Sequence, residues 1–258
     1  MTTAQRLPAQ TSRASDLPNP RYRIGDHSFS FAAAHHLDEL SPGHKARRVH
    51  GHTYTVEVVL ADTMLTGPGF VADYAELKPV GAYLKSTLDH RDLTDLFDFS
   101  TTIELLAEHL QRWCRASLAP QLGKQLHGVS VWIDPPPQPA AGVRRFTFAA
   151  AHHLDGLAEG HNCGRMHGHT YTVDVVLAGT PAGELDLTAF GAYLEQNLDY
   201  RDLSALLPFQ ATSELLAEHL YAWLLTGTPP AVGANLAAVR VWESPRRWAE
   251  FSSETRPV

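Results

Sequence analysis

The stretch Gly160-His161-Asn162-Cys163-Gly164-Arg165-Met166-His167-Gly168-His169 runs directly into Thr170-Tyr171-Thr172-Val173-Asp174-Val175-Val176-Leu177. The second segment is rich in β-branched residues and reads as a strand. Side chains on a strand alternate faces, so His167 and His169 point the same way, ~7 Å apart at Cα from two steps of ~3.3 Å. Imidazoles at that spacing can close around one metal ion. A third imidazole lies upstream in Phe148-Ala149-Ala150-Ala151-His152-His153-Leu154. If that run is the preceding antiparallel strand, His152 or His153 faces the pair. Three histidines leave the fourth position of a tetrahedral zinc site open, which is the catalytic pattern rather than the structural one. Cys163, just before the pair, is placed to act as nucleophile or base, or to close the site as a fourth ligand.

The same pattern stands 117 residues earlier, as Phe31-Ala32-Ala33-Ala34-His35-His36-Leu37 and Gly43-His44-Lys45-Ala46-Arg47-Arg48-Val49-His50-Gly51-His52. The chain is therefore a tandem duplication. One difference carries chemical weight: Ala46 stands where the second copy has Cys163.

The 258 residues thus divide into two domains, each long enough to bury a core. The expected boundaries are a leader over 1–20, a first domain over 21–134, a Pro-rich linker over 135–143 and a second domain over 144–258. A net charge of −7 argues against a nucleic-acid partner. No apolar run approaches the ~20 residues of a membrane helix, and the N-terminal stretch lacks the apolar segment of a secretory signal. Two cysteines suggest no disulfide framework and a reducing, cytoplasmic setting.

Along the first half, Tyr22–Leu37 and His52–Leu60 read as strands. Asp73-x-x-Glu76 has capping-box spacing, and Leu77, Val80, Leu84 and Leu88 then recur at helical intervals, with Pro79 marking the start of regular helix. Thr101-x-x-Glu104 predicts a second capped helix with Ile103, Leu106, Leu110 and Trp113 on one face. Cys114 on that helix reads as a small buried hydrophobe. Val129–Ile133 reads as a third strand. The second half repeats this order with strands Arg144–Leu154 and His169–Leu177, helices from about Asp186 to Leu198 and Thr212 to Leu225, and strand Val239–Glu243. A short further strand near Trp248–Phe251 completes it. The expected class is α+β, with antiparallel sheets carrying two helices on one face.

These residues together resemble the 6-pyruvoyl-tetrahydropterin synthase / 6-carboxytetrahydropterin synthase family, over nearly all of each half. The markers are Ala-Ala-His, Cys-x-x-x-His-Gly-His, an Asp-His pair after the first helix, Thr-Ser-Glu opening the second helix and a Glu in the third strand. The close spacing of Cys163, His167 and His169 is most similar to the bacterial 6-carboxytetrahydropterin synthases of the 7-deazapurine (queuosine) route. The resemblance implies two tandem T-fold (tunnelling-fold) domains and a homo-oligomer, taken as a trimer of two-domain chains. It implies Zn2+ held by His152, His167 and His169, and by His35, His50 and His52 in the first half. It implies Cys163 as the catalytic thiol, Asp89 and His90 as its partners, and Glu214 and Glu243 as pterin anchors, with Glu104 and Asp134 as first-half counterparts.

The implied substrate is 7,8-dihydroneopterin triphosphate, converted to 6-carboxy-5,6,7,8-tetrahydropterin by a lyase. A 6-pyruvoyl product, or a catalytically silent pterin binder, stays open. The halves depart from the family in complementary ways. The first keeps Asp89-His90 and lacks the cysteine; the second keeps Cys163 and reads Asp199-Tyr200. Active sites in this family draw cysteine and Asp-His from different subunits, so the two losses are compatible with one complete mixed site.

Overall fold

The structure is a computed structural model that describes residues 20–133, 142–178 and 185–253. Asp134, nearly all of the expected leader and most of the expected linker lie outside the described residues. In chain order the elements are β1 (Pro20–His35), β2 (His50–Asp62), α1 (Lys78–Tyr83), β3 (Arg91–Asp92), α2 (Leu93–Leu96), α3 (Ile103–Ser117), α4 (Pro120–Gln125) and β4 (Leu126–Ile133). There follow β5 (Val143–His152), β6 (His167–Leu177), α5 (Thr188–Tyr193), β7 (Arg201–Asp202), α6 (Leu203–Leu206), α7 (Ser213–Gly227), α8 (Pro230–Asn235), β8 (Leu236–Ser244) and β9 (Arg247–Ser253).

Contacts gather the chain into two compact units. One takes in Gly25–Leu60 and the described residues from Ala72 to Ile133. The other takes in the described residues from 142 onward, together with residues 20–24 and Ala61–Val71 from the first half of the chain.

In the first-half unit the strand order is β4-β2-β1, with β3 beside β1 in parallel. β2 pairs antiparallel with β4, placing Tyr54 opposite Ile133 and Thr55 opposite Trp132. In the second-half unit β9, β8, β6 and β5 are antiparallel neighbours, and β7 adds to β5 in parallel. The short run near Trp248–Phe251 is the core of β9.

Period-two burial follows from the sequence. Tyr54, Val56, Val58 and Leu60 are buried on β2, as are Tyr171, Val173, Val175 and Leu177 on β6. α3 packs on β4, and α7 packs on β8 and β9. α7 buries Leu216, Leu220 and Leu224, each contributing roughly 2 kcal/mol on leaving water. Cys114 is fully buried on α3, and burial raises its thiol to about 12.

The Asp73 capping box forms: Ala75 N–H donates to Asp73 at 2.8 Å and Asp73 N–H to Glu76 at 3.1 Å. Pro79 sits in the first turn of α1, where its missing N–H costs nothing. The box expected at Thr101 and Glu104 does not form. Thr102 is the N-cap of α3, accepting from Leu105 N–H at 3.4 Å. Thr101 is instead buried with its hydroxyl 3.1 Å from His35 Nδ1, which leaves Glu104 exposed one turn position early.

α1 and α5 each run into a π-helical turn, Leu84–Leu88 and Leu194–Leu198. The next residues but one, His90 and Tyr200, have φ of +57° and +53°. Left-handed backbone is uncommon for side chains of this size.

Candidate active site

The strand pairing assembles the second-half histidines. His152 lies opposite His167, and Ala150 opposite His169, across β5 and β6. His152 therefore joins the pair, and His153 does not. The intervening glycine suits that approach: a Cβ on Gly168 would stand a tight 3.0 Å from Ala150 O. Ring nitrogens of His152, His167 and His169 all lie within 4.8 Å of one another.

Main-chain acceptors set the tautomers. His152 Nδ1 lies 2.8 Å from Ala211 O, and His167 Nδ1 lies 2.8 Å from Arg165 O. A carbonyl only accepts, so each Nδ1 carries a hydrogen, which in a neutral ring leaves Nε2 free to ligate. Those two Nε2 atoms face one another at 3.1 Å. That approach suits either a proton shared by the two rings or a cation held by both. His169 Nε2 is buried without a partner, while its ring bonds the main chain of Glu243. Burial lowers the His152 and His169 pKa values, with the other imidazoles adding to the effect and Glu243 opposing it. Imidazole nitrogens gathered this closely fit a tetrahedral divalent cation such as zinc.

The first-half triad is built alike. His35, His50 and His52 offer nitrogens within 4.8 Å of one another. His35 Nδ1 lies 3.1 Å from Thr101 O, and His50 Nδ1 lies 2.7 Å from Arg48 O. His35 Nε2 is buried without a partner, and burial lowers the pKa values of His35 and His52.

Around the triads the halves diverge. Cys163 is half-buried in a 3-10 turn, Asn162–Gly164, and its carbonyl accepts from Leu154 N–H at 2.8 Å. Ala46 occupies the same turn, its carbonyl accepting from Leu37 N–H at 3.0 Å. His161 and His44 build these turns, each accepting through Nδ1 from the main chain two residues on, at 3.2 Å. Among the described residues the second-half cluster comprises three histidines without Cys163, which speaks against a closed four-ligand site. Cys163 and Glu243 both act on the buried Tyr171 hydroxyl, raising its pKa in addition to the larger effect of burial.

Glu243, at the end of β8, lines a cavity of about 610 Å³ together with His169, Thr170, Thr172, Trp242 and Arg145. Trp242 pairs with Thr172 as Trp132 pairs with Thr55, and Glu243 falls at an irregularity between Trp242 and Ser244 in the pairing with β9. Asp134, the expected counterpart of Glu243, lies outside the described residues. Glu214 is buried at the start of α7, where desolvation pushes its carboxyl up to about 8 while Val71 N–H donates to it at 3.1 Å. Its counterpart Glu104 is exposed.

Asp89 and His90 lie in the first-half unit and meet each other, Asp89 Oδ2 to His90 Nδ1 at 3.1 Å. Lys85 at 2.5 Å, and then Ala32 N–H at 3.0 Å, hold the Asp89 carboxyl well below the usual range. His90 N–H donates to Ala32 O, and the imidazole is 79% exposed. The second half repeats that backbone frame, with Ala149 N–H donating to Asp199 and Tyr200 N–H to Ala149 O. There it presents Tyr200, 87% exposed.

With this geometry in view, the sequence profile of the 6-pyruvoyl tetrahydropterin synthase family matches twice, over residues 25–137 and 142–254. The chain belongs to this family. It is a tandem, α+β member with two T-fold repeats, in a family of pterin-processing lyases. A 6-carboxy-5,6,7,8-tetrahydropterin synthase of Bacillus subtilis (strain 168) is 36% identical over 87 residues, 31% of this chain and 57% of that relative. The chain thus spans a little over half the length of that curated protein. The Caenorhabditis elegans 6-pyruvoyl tetrahydropterin synthase structure is 25% identical and covers 46% of this chain and 92% of its own, with a TM-score of 0.38. The Plasmodium vivax 6-pyruvoyl tetrahydropterin synthase is 14% identical and covers 90% of this chain and 98% of its own, with a TM-score of 0.25. No helix among the described residues is long and apolar enough to cross a membrane.

The main-chain acceptors at Thr101, Ala211, Arg48 and Arg165 carried no signal in the sequence, because any residue supplies a carbonyl. Val71 was equally invisible, standing 143 residues from the carboxylate it meets.

Proposed function

We propose that this chain is a zinc-dependent 6-carboxytetrahydropterin synthase with one complete type of site, built on the second-half triad. The reaction converts 7,8-dihydroneopterin triphosphate and water to 6-carboxy-5,6,7,8-tetrahydropterin, acetaldehyde and triphosphate. The observation that carries this reading is the gathering of three imidazole nitrogens, all within 4.8 Å of one another, in the repeat that also holds Cys163, Glu214 and Glu243. A zinc ion held by His152, His167 and His169 would supply Lewis acidity toward the substrate's side-chain oxygens. Glu243 accepts hydrogen bonds from the 2-amino group and ring N–H of the pterin, and Glu214 adds a second carboxyl contact. Cys163, as thiolate, takes a proton from the side chain undergoing retro-aldol cleavage. His90, oriented by Asp89 and delivered from the first half of a chain in the homo-oligomer, exchanges protons with that thiol. The chain assembles as a trimer, so that three chains bring six repeats.

Incubating the zinc-loaded protein with dihydroneopterin triphosphate and weighing the product tests this. A carboxy product with released acetaldehyde supports it. A pyruvoyl product replaces the reaction while keeping the site. Absence of turnover toward both this substrate and 6-pyruvoyltetrahydropterin overturns the enzyme reading.

A further inference from the structure

Residues Thr66–Val71 come from the first half of the chain yet belong to the second-half unit. They form a tight loop in which Thr66 and Phe70 exchange main-chain hydrogen bonds, both at 2.9 Å. Two glycines with positive φ, Gly67 at +57° and Gly69 at +117°, let the chain turn back. The loop is seated on the first turn of α7 through two buried polar contacts. Thr212 Oγ1 donates to Gly69 O at 3.0 Å, and Val71 N–H donates to Glu214 Oε1 at 3.1 Å. The fit leaves no room: a Cβ on Gly69 would come 2.6 Å from Leu215 Cδ1.

We infer that the Gly67–Val71 loop is a positioning element for Glu214, so that one repeat of the duplication tunes a substrate carboxyl of the other. The inference rests on the pterin reading for what Glu214 binds, but not for the latch itself. The Val71 N–H requires Oε1 as an acceptor. A proton held by the carboxyl therefore resides on Oε2, and Glu214 meets its ligand as a fixed donor rather than a rotating pair of oxygens. The elevated Glu214 pKa, about 8, agrees with a carboxyl that keeps its proton near neutrality. The residues in the latch are positioning residues. They act on substrate only through Glu214.

The test is a double-mutant cycle on the full zinc-loaded chain, with neopterin fluorescence as the binding probe and the Glu214 carboxyl followed by carbon NMR. Gly69→Ala introduces both the steric conflict and the left-handed strain. It is expected to weaken neopterin about tenfold and to shift the Glu214 titration, with metal content unchanged. Glu214→Gln is expected to weaken neopterin similarly, and the double variant to be no worse than Glu214→Gln alone. Should Gly69→Ala not accumulate as folded protein, Thr212→Val removes the hydroxyl that reaches Gly69 O and carries the same expectation. An unaltered Glu214 titration in the folded variant, or losses that multiply in the double variant, overturns the latch. If wild-type protein binds no neopterin while Gly69→Ala still moves the Glu214 signal, the latch stands and the pterin reading fails.

Discussion

The turn around Ala46 and the turn around Cys163 follow the same local path, pinned by the same hydrogen bonds, beside triads of the same construction. What differs lies in the side chains around the triads. The second half has a thiol, a strand acid and a buried helix acid. The first half has alanine at 46 and an exposed Glu104. The triads repeat because main-chain carbonyls orient them in both copies, while the differences around them are single side chains. The Asp-Xaa turn teaches the same lesson. Its backbone frame persists in both halves, and only the side chain it presents has changed, from imidazole to phenol.

The sharpest way to break this comparison is at the thiol. Cys163→Ala, and separately His90→Ala, are expected to lower turnover of dihydroneopterin triphosphate by roughly 10²–10⁴-fold. Tyr200→Ala leaves the rate within about twofold by the same reasoning, since no proton transfer depends on it. Full activity in His90→Ala would mean that the two halves do not share a site. Metal analysis sharpens the similarity instead. Wild type is expected to hold two zinc ions per chain, and His50→Ala or His167→Ala to remove one each, with only the second removal silencing the enzyme. Equal loss of activity from both would erase the proposed asymmetry.

Binding stoichiometry comes next in size. One neopterin per chain is expected, weakened about tenfold by Glu243→Gln through a lost charged hydrogen bond. Two neopterins per chain would show that the first half binds the pterin as well.

The buried Glu214 predicts a pH dependence of stability. Its carboxyl pKa is about 8 in the folded chain, above the ordinary 4.5, so the native state holds the proton more tightly than the unfolded state. The associated stability is fully present below about pH 4.5 and is lost progressively as pH rises through about 8. Glu214→Gln should flatten that decline in thermal melts, and Glu104→Gln should leave it unchanged. The smallest effect concerns the left-handed turns. Tyr200→Gly relieves strain on an exposed residue and should stabilise the fold by roughly 0.5–1 kcal/mol, read from chemical denaturation.

Much of this molecule was legible as sequence. The 117-residue repeat, the alternation on β2 and β6 and the His-Gly-His spacing are local patterns, and local geometry turns them into strands with two imidazoles on one face. The absence of Cys163's counterpart at Ala46 and of His90's at Tyr200 needed only alignment of the two copies. Tertiary structure alone decided that Thr102 caps α3 while Thr101 serves His35, since adjacent threonines are equivalent until a partner claims one. It alone set Trp132 opposite Thr55 and Trp242 opposite Thr172, because a ladder of hydrogen bonds, rather than residue counting, aligns the last strands of the repeats. And it alone brought Val71 to Glu214: a main-chain N–H has no letter in the sequence, and only packing selects which one meets a buried acid.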